Sequence, residues 1–415
     1  MSVGIIGLGY VGLPLAVAFA EAGDEVVGVD ADAGLVEGLA SGRSRVEDVT
    51  SERLARLDGR LIPTTEYAEL AACDAVLICV PTPLANQREP DLTYITDAGR
   101  SLAGVLRADQ LVVLESTTYP GTTREHLQPI LEESGLTAGS DFHLAFSPER
   151  IDPGRADHSI RTTPKVVGGL TADCRARAVA VYEQICDTVV PVSSPEVAEM
   201  TKLHENIFRS VNIAFVNELA QLCDRMGIDV WEVIDAAATK PYGFMRFDPG
   251  PGMGGHCLPV DPFYLAFKAR EYDFPAEFVE LAGKVNQHQP HYCVERIVRA
   301  LNDVGKPARE ARVLLLGASY KADVGDVREA PAVKIAHLLR ELGTDVSFHD
   351  PHVPELRELG LRSVDLGDGL AGCDLACVIT AHSGIDYSQV VATAPLVVDL
   401  RAVTRGIDAD NLIRL

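Results

Sequence analysis

A glycine-rich turn near the start of the chain constrains the fold more than any other segment. Gly7-Leu8-Gly9-Tyr10-Val11-Gly12 follows a short apolar run and opens a helical stretch that continues to about residue 22. A second apolar run then ends at Asp30. This glycine spacing between a strand and a helix predicts a strand–helix–strand unit with parallel strands.

The same turn predicts a site for a dinucleotide. Gly7 and Gly9 let the backbone turn tightly and approach a pyrophosphate at the helix start, and Gly12 allows close helix–strand packing. Asp30 can accept hydrogen bonds from ribose hydroxyls and would repel a 2′-phosphate, and Ala31-Asp32 supplies no cation. We therefore expect NAD rather than NADP. The alternative is that the glycines serve only a tight turn.

The pattern of apolar residues predicts two α/β parts with a helical part between them. Strand signals disappear from about residue 195 to 301, where residues 196–226 form one long amphipathic helix and 229–238 a shorter one. Before this region, buried strands of the parallel type are expected at residues 75–80, 111–115 and 165–167.

The last third of the chain repeats the plan of the first. Residues 313–317 resemble a first strand, 331–342 its helix and 346–350 a second strand that ends in Asp, while 370–375 resemble 70–75. We expect an α/β fold in which two Rossmann-like, doubly wound domains are joined by a central helical domain with one long helix. The expected domains are residues 1–194, 195–302 and 303–415.

Composition excludes several classes of function. A net charge of −23 disfavours nucleic acid and anionic membranes as partners, and no apolar run is long enough to span a bilayer. The 9 cysteines are scattered without the spacing of metal ligands or of a disulfide framework. We expect reduced thiols that are mostly buried, no metal site and a cytoplasmic location.

The most informative chemistry lies in a segment rich in glycine and proline, residues 249–262. It holds Cys257, with Asp261 four residues further on, which fits a nucleophilic thiol near a carboxylate, although a structural cysteine remains an alternative. Lys202 and Asn206 share one face of the long helix and could stabilise an oxyanion, although most such pairs are solvated. NAD and a thiol together suggest oxidation of a primary alcohol to a carboxylate through a thiohemiacetal and a thioester.

A second pair of cations lies in the C-terminal third. Gly317-Ala318-Ser319-Tyr320-Lys321 lacks the three-glycine spacing, so a second NAD site is not expected there. Lys321 and Arg328 follow the end of a parallel strand and could face a phosphorylated ligand. Solvated surface cations are the alternative.

Taken in order, these motifs resemble the UDP-glucose/GDP-mannose dehydrogenase family, the nucleotide-sugar 6-dehydrogenases, over essentially the whole chain. The motifs are Gly7 to Gly12, Val80-Pro81-Thr82-Pro83, Glu115-Ser116-Thr117-Thr118, Ser147-Pro148-Glu149-Arg150, Lys202 to Asn206, Gly254-Gly255-His256-Cys257 and Lys321-Ala322-Asp323.

The resemblance implies an NAD domain, a catalytic helical domain that forms a homodimer, and a C-terminal domain for the UDP-sugar. It implies that Cys257 is the nucleophile, that Lys202 and Asn206 hold the oxyanion, that Asp261 orients water and helps proton transfer, and that Thr118 and Glu149 complete the pocket, with Glu149 a candidate base. The NAD contacts would be Gly7, Gly9, Tyr10, Val11, Gly12, Asp30, Thr82 and Thr118. The UDP-sugar contacts would be Glu149, Arg150, Lys202, Asn206, Arg209, Tyr242, Phe244, Arg246, Gly254, Lys321 and Arg328.

Departures from the pattern of the UDP-glucose enzymes point to a subgroup. Those enzymes commonly carry an Asn-Pro-Glu-Phe-Leu type segment where this chain has Ser147-Pro148-Glu149-Arg150, and a lysine where it has Val260. Residues 239–244 replace the usual turn with an arginine. These features resemble enzymes for N-acetylated sugars, so the expected substrate is UDP-N-acetylglucosamine, with UDP-N-acetylmannosamine and UDP-glucose as alternatives.

Two hypotheses from outside the family compete with this interpretation. A β-hydroxyacid dehydrogenase also places Lys and Asn on a helix after an NAD domain, but Cys257 and the second α/β domain count against it. A non-catalytic NAD-binding scaffold would be favoured by loss of Lys202, Asn206 or Cys257, and all three are present.

Overall fold

The chain forms two compact units. The computed structural model describes residues 1–46, 48–85, 89–150, 158–255 and 260–415. The first unit comprises Met1–Glu205 and Phe263–Phe274, and the second Asn206–Pro262 and Pro275–Leu415. No helix in these described ranges has the length and apolar character needed to cross a membrane.

The first unit is built on an eight-stranded sheet with helices on both faces. Its strands are β1 (Ser2–Ile6), β2 (Glu25–Val29), β3 (Leu61–Thr64), β4 (Ala75–Ile78), β5 (Leu111–Leu114), β6 (His143–Phe146), β7 (Lys165–Gly169) and β8 (Val189–Val192). Its helices are α1 (Gly12–Ala22), α2 (Ala33–Ala40), α3 (Ser51–Ala55), α4 (Thr93–Ala103), α5 (Gln128–Glu132) and α6 (Ala172–Tyr182).

The strand order of this sheet is that of a dinucleotide-binding fold. The order is β3-β2-β1-β4-β5-β6-β7-β8, and β1 lies between β2 and β4 where the chain direction across the sheet reverses. Successive residues of the central strands alternate between two cores: Ile5 packs in one and Ile6 in the other. Ligands of such sheets bind outside the carboxyl ends of the strands at this switch point.

Strand β7 departs from the parallel arrangement that the sequence predicts. It pairs parallel to β8 but antiparallel to β6, with Phe146 opposite Gly168. Because it is buried on both faces, its apolar pattern is the same in either direction, and the sequence carries no signal of the reversal. The reversal brings the amino end of β7 to the carboxyl edge of the sheet.

The second unit begins within the long helix predicted from the sequence. Helix α7 (Pro195–Met226) belongs to the first unit up to Glu205 and to the second from Asn206. It is followed by α8 (Val230–Ala238), α9 (Asp261–Arg270) and α10 (Glu277–Asp303). Helix α10 has 27 residues and contains Pro290, so it is a second long helix that the sequence analysis did not single out.

A smaller parallel sheet completes the second unit. Its strands are β9 (Arg312–Leu316), β10 (Asp345–His349), β13 (Leu375–Val378), β14 (Val397–Asp399) and β15 (Leu412–Arg414), in the order β10-β9-β13-β14-β15. The remaining elements are the small hairpin β11 (Glu355–Leu356) and β12 (Leu361–Arg362), and the helices α11 (Pro331–Glu341), α12 (Leu366–Gly372) and α13 (Tyr387–Thr393).

The repeat seen in the sequence is also present in the hydrogen bonds. Gly7 N–H donates to the Val29 carbonyl at 2.8 Å, and Gly317 N–H donates to the His349 carbonyl at 2.9 Å. The carboxylate that ends the second strand accepts from the turn after the first strand in both sheets, through Asp30 and Asp350. The two sheets therefore share their opening connections as well as their order of elements.

Candidate active site

The glycine turn after β1 has the geometry of a phosphate-binding turn. Gly7 has a φ of +92°, and a Cβ at Gly12 would lie 1.8 Å from the Gly7 carbonyl oxygen, so neither position accepts a side chain. A Cβ at Gly9 would meet no described atom within 4 Å, which leaves room for an approaching ligand. No side chain caps the amino end of α1, which starts after Val11. Leu13 and Leu15 N–H already donate to backbone carbonyls and Pro14 has no N–H, so the Gly12 N–H is the group of this turn that remains for an anion.

Asp30 stands at the end of β2, half-buried, and holds the turn. Its carboxylate accepts from Leu8 N–H at 2.8 Å and from Asp32 N–H at 2.9 Å, and lone pairs remain for ribose hydroxyls. The structure also places a cation that the sequence analysis missed, because the Arg45 guanidinium lies 3.2 Å from the Asp32 carboxylate. Tyr10, at the tip of the turn, is exposed.

Two threonines line the carboxyl edge of the sheet next to the turn. The Thr82 hydroxyl, after β4, donates to the Thr117 carbonyl at 2.8 Å. Thr118, after β5, is 1% exposed, and its hydroxyl has no hydrogen-bond partner among the described residues. A buried hydroxyl without a partner is costly unless a ligand supplies one. The turn, the uncapped helix and this hydroxyl together fit NAD.

Helix α7 carries the predicted oxyanion pair. Lys202 is 7% exposed, and its ammonium makes no hydrogen bond or ion pair within the described part of the chain. An ammonium on a side chain this little exposed favours an anionic or polar partner, which a substrate oxygen would supply. Asn206 follows one turn later and therefore lies on the same face of the helix.

Asn206, Arg209 and Asp261 form a connected group in the second unit. The Asn206 side-chain amide donates to the Asp261 carboxylate, and its oxygen accepts from the Arg209 guanidinium. Both Asn206 and Asp261 are 1% exposed. The structure thus brings together three of the predicted site residues, with Asp261 at the start of α9.

Glu149 and Arg150 follow β6. The Glu149 carboxylate accepts from Arg150 N–H at 2.7 Å and lies 3.3 Å from the Lys165 ammonium. The Arg150 guanidinium pairs with Glu205 through two contacts of 2.6 and 3.3 Å. Arg150 is therefore tied to α7 one turn beyond Lys202.

The glycine-rich segment before the predicted nucleophile is held at two points in the second unit. A Cβ at Gly254 would lie 2.6 Å from the Tyr320 Cβ, and Gly255 N–H donates to the Arg328 carbonyl at 3.0 Å. Upstream, Gly250 N–H donates to the Asn217 side chain at 3.0 Å. Cys257 itself lies outside the described residues, between Gly255 and Asp261.

Buried amides support Gly250 from both sides. The Gln289 side chain donates to the Gly250 carbonyl at 2.9 Å, and the Asn217 side chain donates to Asn286 at 3.2 Å. These three amide side chains are at most 4% exposed. Polar groups this deep are hydrogen-bonded because each missing bond costs the full desolvation penalty.

Three predicted sugar contacts are at the surface of the second unit. Tyr242 is 73% exposed, Phe244 is 42% exposed, and Arg246 pairs with Asp235 at 2.6 Å and with Asp248 at 2.8 Å. The structure does not join them to the Asn206 group. Arg328 is also exposed and pairs with Asp326, while Lys321 is half-buried in the same loop.

Sequence analysis missed one cation in the second unit. Arg401 follows β14, and its Nη1 lies 2.2 Å from where a Cβ at Gly250 would stand. Its guanidinium makes no hydrogen bond or ion pair to any described residue. Burial of the guanidinium lowers its pKa. Its place just beyond the carboxyl end of a parallel strand is the signal that could have identified it.

The described cysteines fit the expected structural role. Cys73, Cys79, Cys174, Cys186, Cys223, Cys293, Cys373 and Cys377 are buried and free of disulfides. Burial raises the pKa of Cys186 to about 11 and that of Cys293 to about 12, which disfavours the thiolate.

One cluster has the residue types of a metal site although none was predicted. Ligand atoms of Asp323, His352 and His382 lie within 4.8 Å of one another. However, His382 Nδ1 accepts from Asp323 N–H at 3.1 Å, and its Nε2 lies 3.0 Å from the Asp350 carboxylate. Both ring nitrogens are already engaged, so a metal would have to displace a hydrogen bond.

Comparison with known proteins agrees with the fold. Models of the UDP-glucose/GDP-mannose dehydrogenase family match the chain as its NAD binding domain at residues 1–186, its central domain at 196–288 and its UDP binding domain at 314–406. The chain is 35% identical to a UDP-N-acetyl-D-mannosamine dehydrogenase of Yersinia pestis over 410 residues, 95% of each chain. It is 38% identical to a UDP-N-acetyl-D-glucosamine 6-dehydrogenase of Pseudomonas aeruginosa over 369 residues, 88% of this chain and 86% of the other.

A solved structure extends the likeness to three dimensions. A UDP-D-ManNAc dehydrogenase from Pyrococcus horikoshii superposes with a TM-score of 0.92 at 31% identity, covering 100% of this chain and 99% of the other. These matches define an NAD-dependent dehydrogenase of nucleotide sugars. The chain belongs to the UDP-glucose/GDP-mannose dehydrogenase family, and it is an NAD-dependent UDP-sugar 6-dehydrogenase. The β-hydroxyacid dehydrogenase and non-catalytic alternatives are thereby set aside.

Proposed function

We propose that the chain oxidises the C6 primary alcohol of a UDP-N-acetylhexosamine to the uronic acid, with UDP-N-acetylglucosamine as the first choice. The observation that carries the reaction is the largely buried Lys202 side chain, whose ammonium makes no hydrogen bond or ion pair with the described residues. The choice of an N-acetylated sugar is supported by the relatives, which are named for UDP-N-acetyl-D-mannosamine and UDP-N-acetyl-D-glucosamine. UDP-N-acetylmannosamine and UDP-glucose remain the alternatives.

The overall reaction takes one alcohol, two NAD and one water to one carboxylate, two NADH and three protons. Bound NAD supplies the hydride acceptor for both oxidations. The Cys257 thiolate adds to the aldehyde carbon and gives a thiohemiacetal, whose oxidation leaves a thioester. Lys202 and Asn206 stabilise the oxygen that carries negative charge at each stage.

Hydrolysis of the thioester completes the reaction. Asp261, held by Asn206, orients water and helps proton transfer, and Glu149 is the base that takes a proton from the attacking water. The carbon–sulfur bond then breaks, and the thiolate is regenerated. The burial of each described cysteine supports Cys257 as the reactive thiol.

Contacts to the UDP-sugar are proposed on both units. Glu149, Arg150 and Lys202 serve it in the first unit. In the second, the proposed contacts are Asn206, Arg209, Tyr242, Phe244, Arg246, Gly254, Lys321 and Arg328, and the structure adds Arg401. Its guanidinium lies beside the glycine-rich segment with no partner in the described ranges, and it suits a phosphate oxygen of the ligand.

A homodimer through α7 is also part of the proposal. Apolar side chains are exposed along one stripe of this helix, and Phe208, Phe215 and Leu222 recur every seven residues. A patch of this kind on a long helix fits a second copy of the same helix. The three domains at 1–194, 195–302 and 303–415 and the cytoplasmic location stay predictions.

The experiment is to measure NADH release and product mass with UDP-N-acetylglucosamine, UDP-N-acetylmannosamine and UDP-glucose. Two NADH per UDP-N-acetylglucosamine and a uronic acid product are expected. Two NADH with another sugar alone would keep the mechanism and overturn the substrate. Cys257→Ala should abolish acid formation, whereas Cys373→Ala, which removes a buried structural thiol, should not. Acid formation by Cys257→Ala would contradict the thioester.

A further inference from the structure

Glu149 belongs to a buried ionic cluster, and the proposed mechanism does not use the other members of this cluster. The Lys165 ammonium lies 2.8 Å from the Glu115 carboxylate and 3.3 Å from that of Glu149. The Tyr182 hydroxyl donates to the other oxygen of Glu115, and Lys165 lies 5.2 Å from the centre of the Tyr182 ring. We call these four residues the Lys165 cluster.

The reversed direction of β7 creates this contact. Phe146 of β6 is paired with Gly168 of β7, and continuing the antiparallel register places Glu149 opposite Lys165. The Ser147 hydroxyl, which donates to the Val166 carbonyl at 2.9 Å, lies along the same continuation. Had β7 run parallel to β6, Lys165 would lie at the opposite edge of the sheet.

The charged side chains of the Lys165 cluster differ in how far they are exposed to solvent. The side chain of Glu115 is 0% exposed, that of Lys165 6% and that of Glu149 15%. Glu149 is therefore the member nearest to solvent and to a ligand at the carboxyl edge of the sheet. The other charged members are buried more deeply than Glu149, so we expect them to act through Glu149.

The electrostatics of the cluster keep Lys165 charged. Burial alone would lower the pKa of Lys165, but the carboxylates of Glu115 and Glu149 outweigh it and raise that pKa above its ordinary value. The thiols of Cys79 and Cys186 also face the cluster, and burial raises the pKa of each. The Arg150 guanidinium is engaged with Glu205. Lys165 is thus a charged group in contact with the Glu149 carboxylate.

We propose that Lys165 is a positioning residue for thioester hydrolysis: it holds the Glu149 carboxylate in place and ionised, and Glu115 and Tyr182 hold Lys165. This inference rests on the proposed function. In the step concerned, the Glu149 carboxylate takes a proton from water, the resulting hydroxide bonds to the thioester carbon, and the carbon–sulfur bond breaks. The proton on Glu149 then passes to solvent, and the Cys257 thiolate is regenerated.

The test separates oxidation from hydrolysis in the full-length enzyme by rapid mixing. NADH from the two oxidations is released before the thioester is hydrolysed, so a slow hydrolysis step appears as a burst followed by slow turnover. Lys165→Met should keep the burst and lower kcat at least tenfold. Because an adjacent cation lowers the pKa of a carboxyl group, its loss should move the acid limb of the pH–kcat profile up by about one unit.

A second variant is needed because Lys165→Met leaves the buried Glu115 carboxylate without a cation and can therefore prevent folding. Glu115→Gln/Lys165→Met removes both charges and still offers an acceptor to the Tyr182 hydroxyl, so it should fold and show the same kinetic defect. Lys268→Met is the matched control. Lys268 is 5% exposed and is also paired with two carboxylates, those of Glu125 and Glu271, and its loss should leave the acid limb in place.

The kinetic results distinguish failure of the role of Lys165 from failure of the proposed function. A double variant that folds and retains the wild-type kcat and acid limb overturns the role of Lys165. So does a slowed burst with unchanged hydrolysis, since the cluster would then serve oxidation. A wild-type enzyme that releases only one NADH per sugar overturns the proposed function itself, and the role of Lys165 in hydrolysis falls with it.

Discussion

We expect Asp30 and Arg45 together to set the preference between NAD and NADP. The Asp30 carboxylate repels a 2′-phosphate, while Arg45 is a cation near enough to pair with Asp32 at 3.2 Å. Asp30→Asn removes the charge and keeps an oxygen that can accept from Leu8 N–H. We expect it to raise kcat/KM with NADP relative to NAD about tenfold, because the charge repulsion is lost. Steady-state kinetics with both cofactors measure the ratio.

The contribution of Arg45 is checked by a second substitution. Asp30→Asn/Arg45→Met should lose most of the gain with NADP, because the only cation placed beside Asp32 among the described residues is then gone. An equal gain in both variants would show that Arg45 has no part in the preference.

Glu199 is a buried carboxyl group that ties α7 to the loop after β5. Its carboxylate accepts from Gly121 N–H at 2.6 Å and from Thr123 N–H at 2.9 Å. Burial raises the pKa of Glu199 to about 7, although these hydrogen bonds oppose the shift. The folded chain therefore binds a proton more tightly than the unfolded chain does.

Because the pKa of Glu199 is raised in the folded chain, the stability that Glu199 contributes falls as the pH rises. The contribution of Glu199 to stability is fully present below the ordinary pKa of 4.5 and is lost as the pH rises towards 7. The melting temperature of Glu199→Gln minus that of the wild type should therefore increase from pH 5 to pH 8. Thermal unfolding at both pH values measures it.

A neighbouring carboxyl group provides the control. Glu196 lies one turn earlier on α7, pairs with Arg124 at 2.6 Å, and has a lowered pKa. Burial opposes that shift, but the hydrogen bonds from Arg124 and Ser194 and the charge of Arg124 together outweigh it. Glu196→Gln should show no such increase, and an equally flat difference for Glu199→Gln would contradict the raised pKa.

At the level of elements, α7 and α10 meet around the segment that precedes Cys257. Asn217→Ala would leave Gly250 N–H buried without its acceptor and would also remove the bond to Asn286. We expect a loss of about 1–3 kcal/mol in the free energy of unfolding, since an orphaned buried polar group costs that much. Chemical denaturation measures this difference.

The matched control lies on the same helix. Asn212 is only half-buried, and its side chain donates to the Phe208 carbonyl within α7 at 2.7 Å. Asn212→Ala should change the free energy of unfolding by less than about 0.5 kcal/mol. An equal loss in the free energy of unfolding for Asn217→Ala and Asn212→Ala would show that the buried amide contributes no more to stability than the half-buried one.

The first turn could be predicted from the sequence, whereas the direction of β7 could not. Glycine spacing and the acidic end of β2 were sufficient to predict the first turn, because local backbone geometry requires those residues there. The direction of β7 was not predictable, because a strand buried on both faces looks the same either way. Arg45 was missed because its place beside Asp32 depends on how the chain folds after α2. Arg401 had a signal, its position just beyond a parallel strand, which the sequence analysis did not use.

At the level of the whole molecule, the exposed stripe of α7 predicts the assembly. Phe215 is 66% exposed and Leu222 52%, and seven-residue spacing keeps them on one face. Phe215→Ser/Leu222→Ser should convert the proposed dimer to a monomer at micromolar concentration, as measured by light scattering. Phe278→Ser removes an apolar side chain that is 79% exposed on α10 and should leave the dimer intact. A dimer that survives the double substitution would place the interface elsewhere.

The matched connections at Asp30 and Asp350 carry an evolutionary meaning. In both halves a carboxylate after the second strand holds the turn after the first, but only the first half keeps a helix that starts at the third glycine of that turn. In the second half, α11 starts at Pro331, well after Gly317. A duplicated ancestral gene would leave this pattern if both copies kept the scaffold and the turn of one copy lengthened.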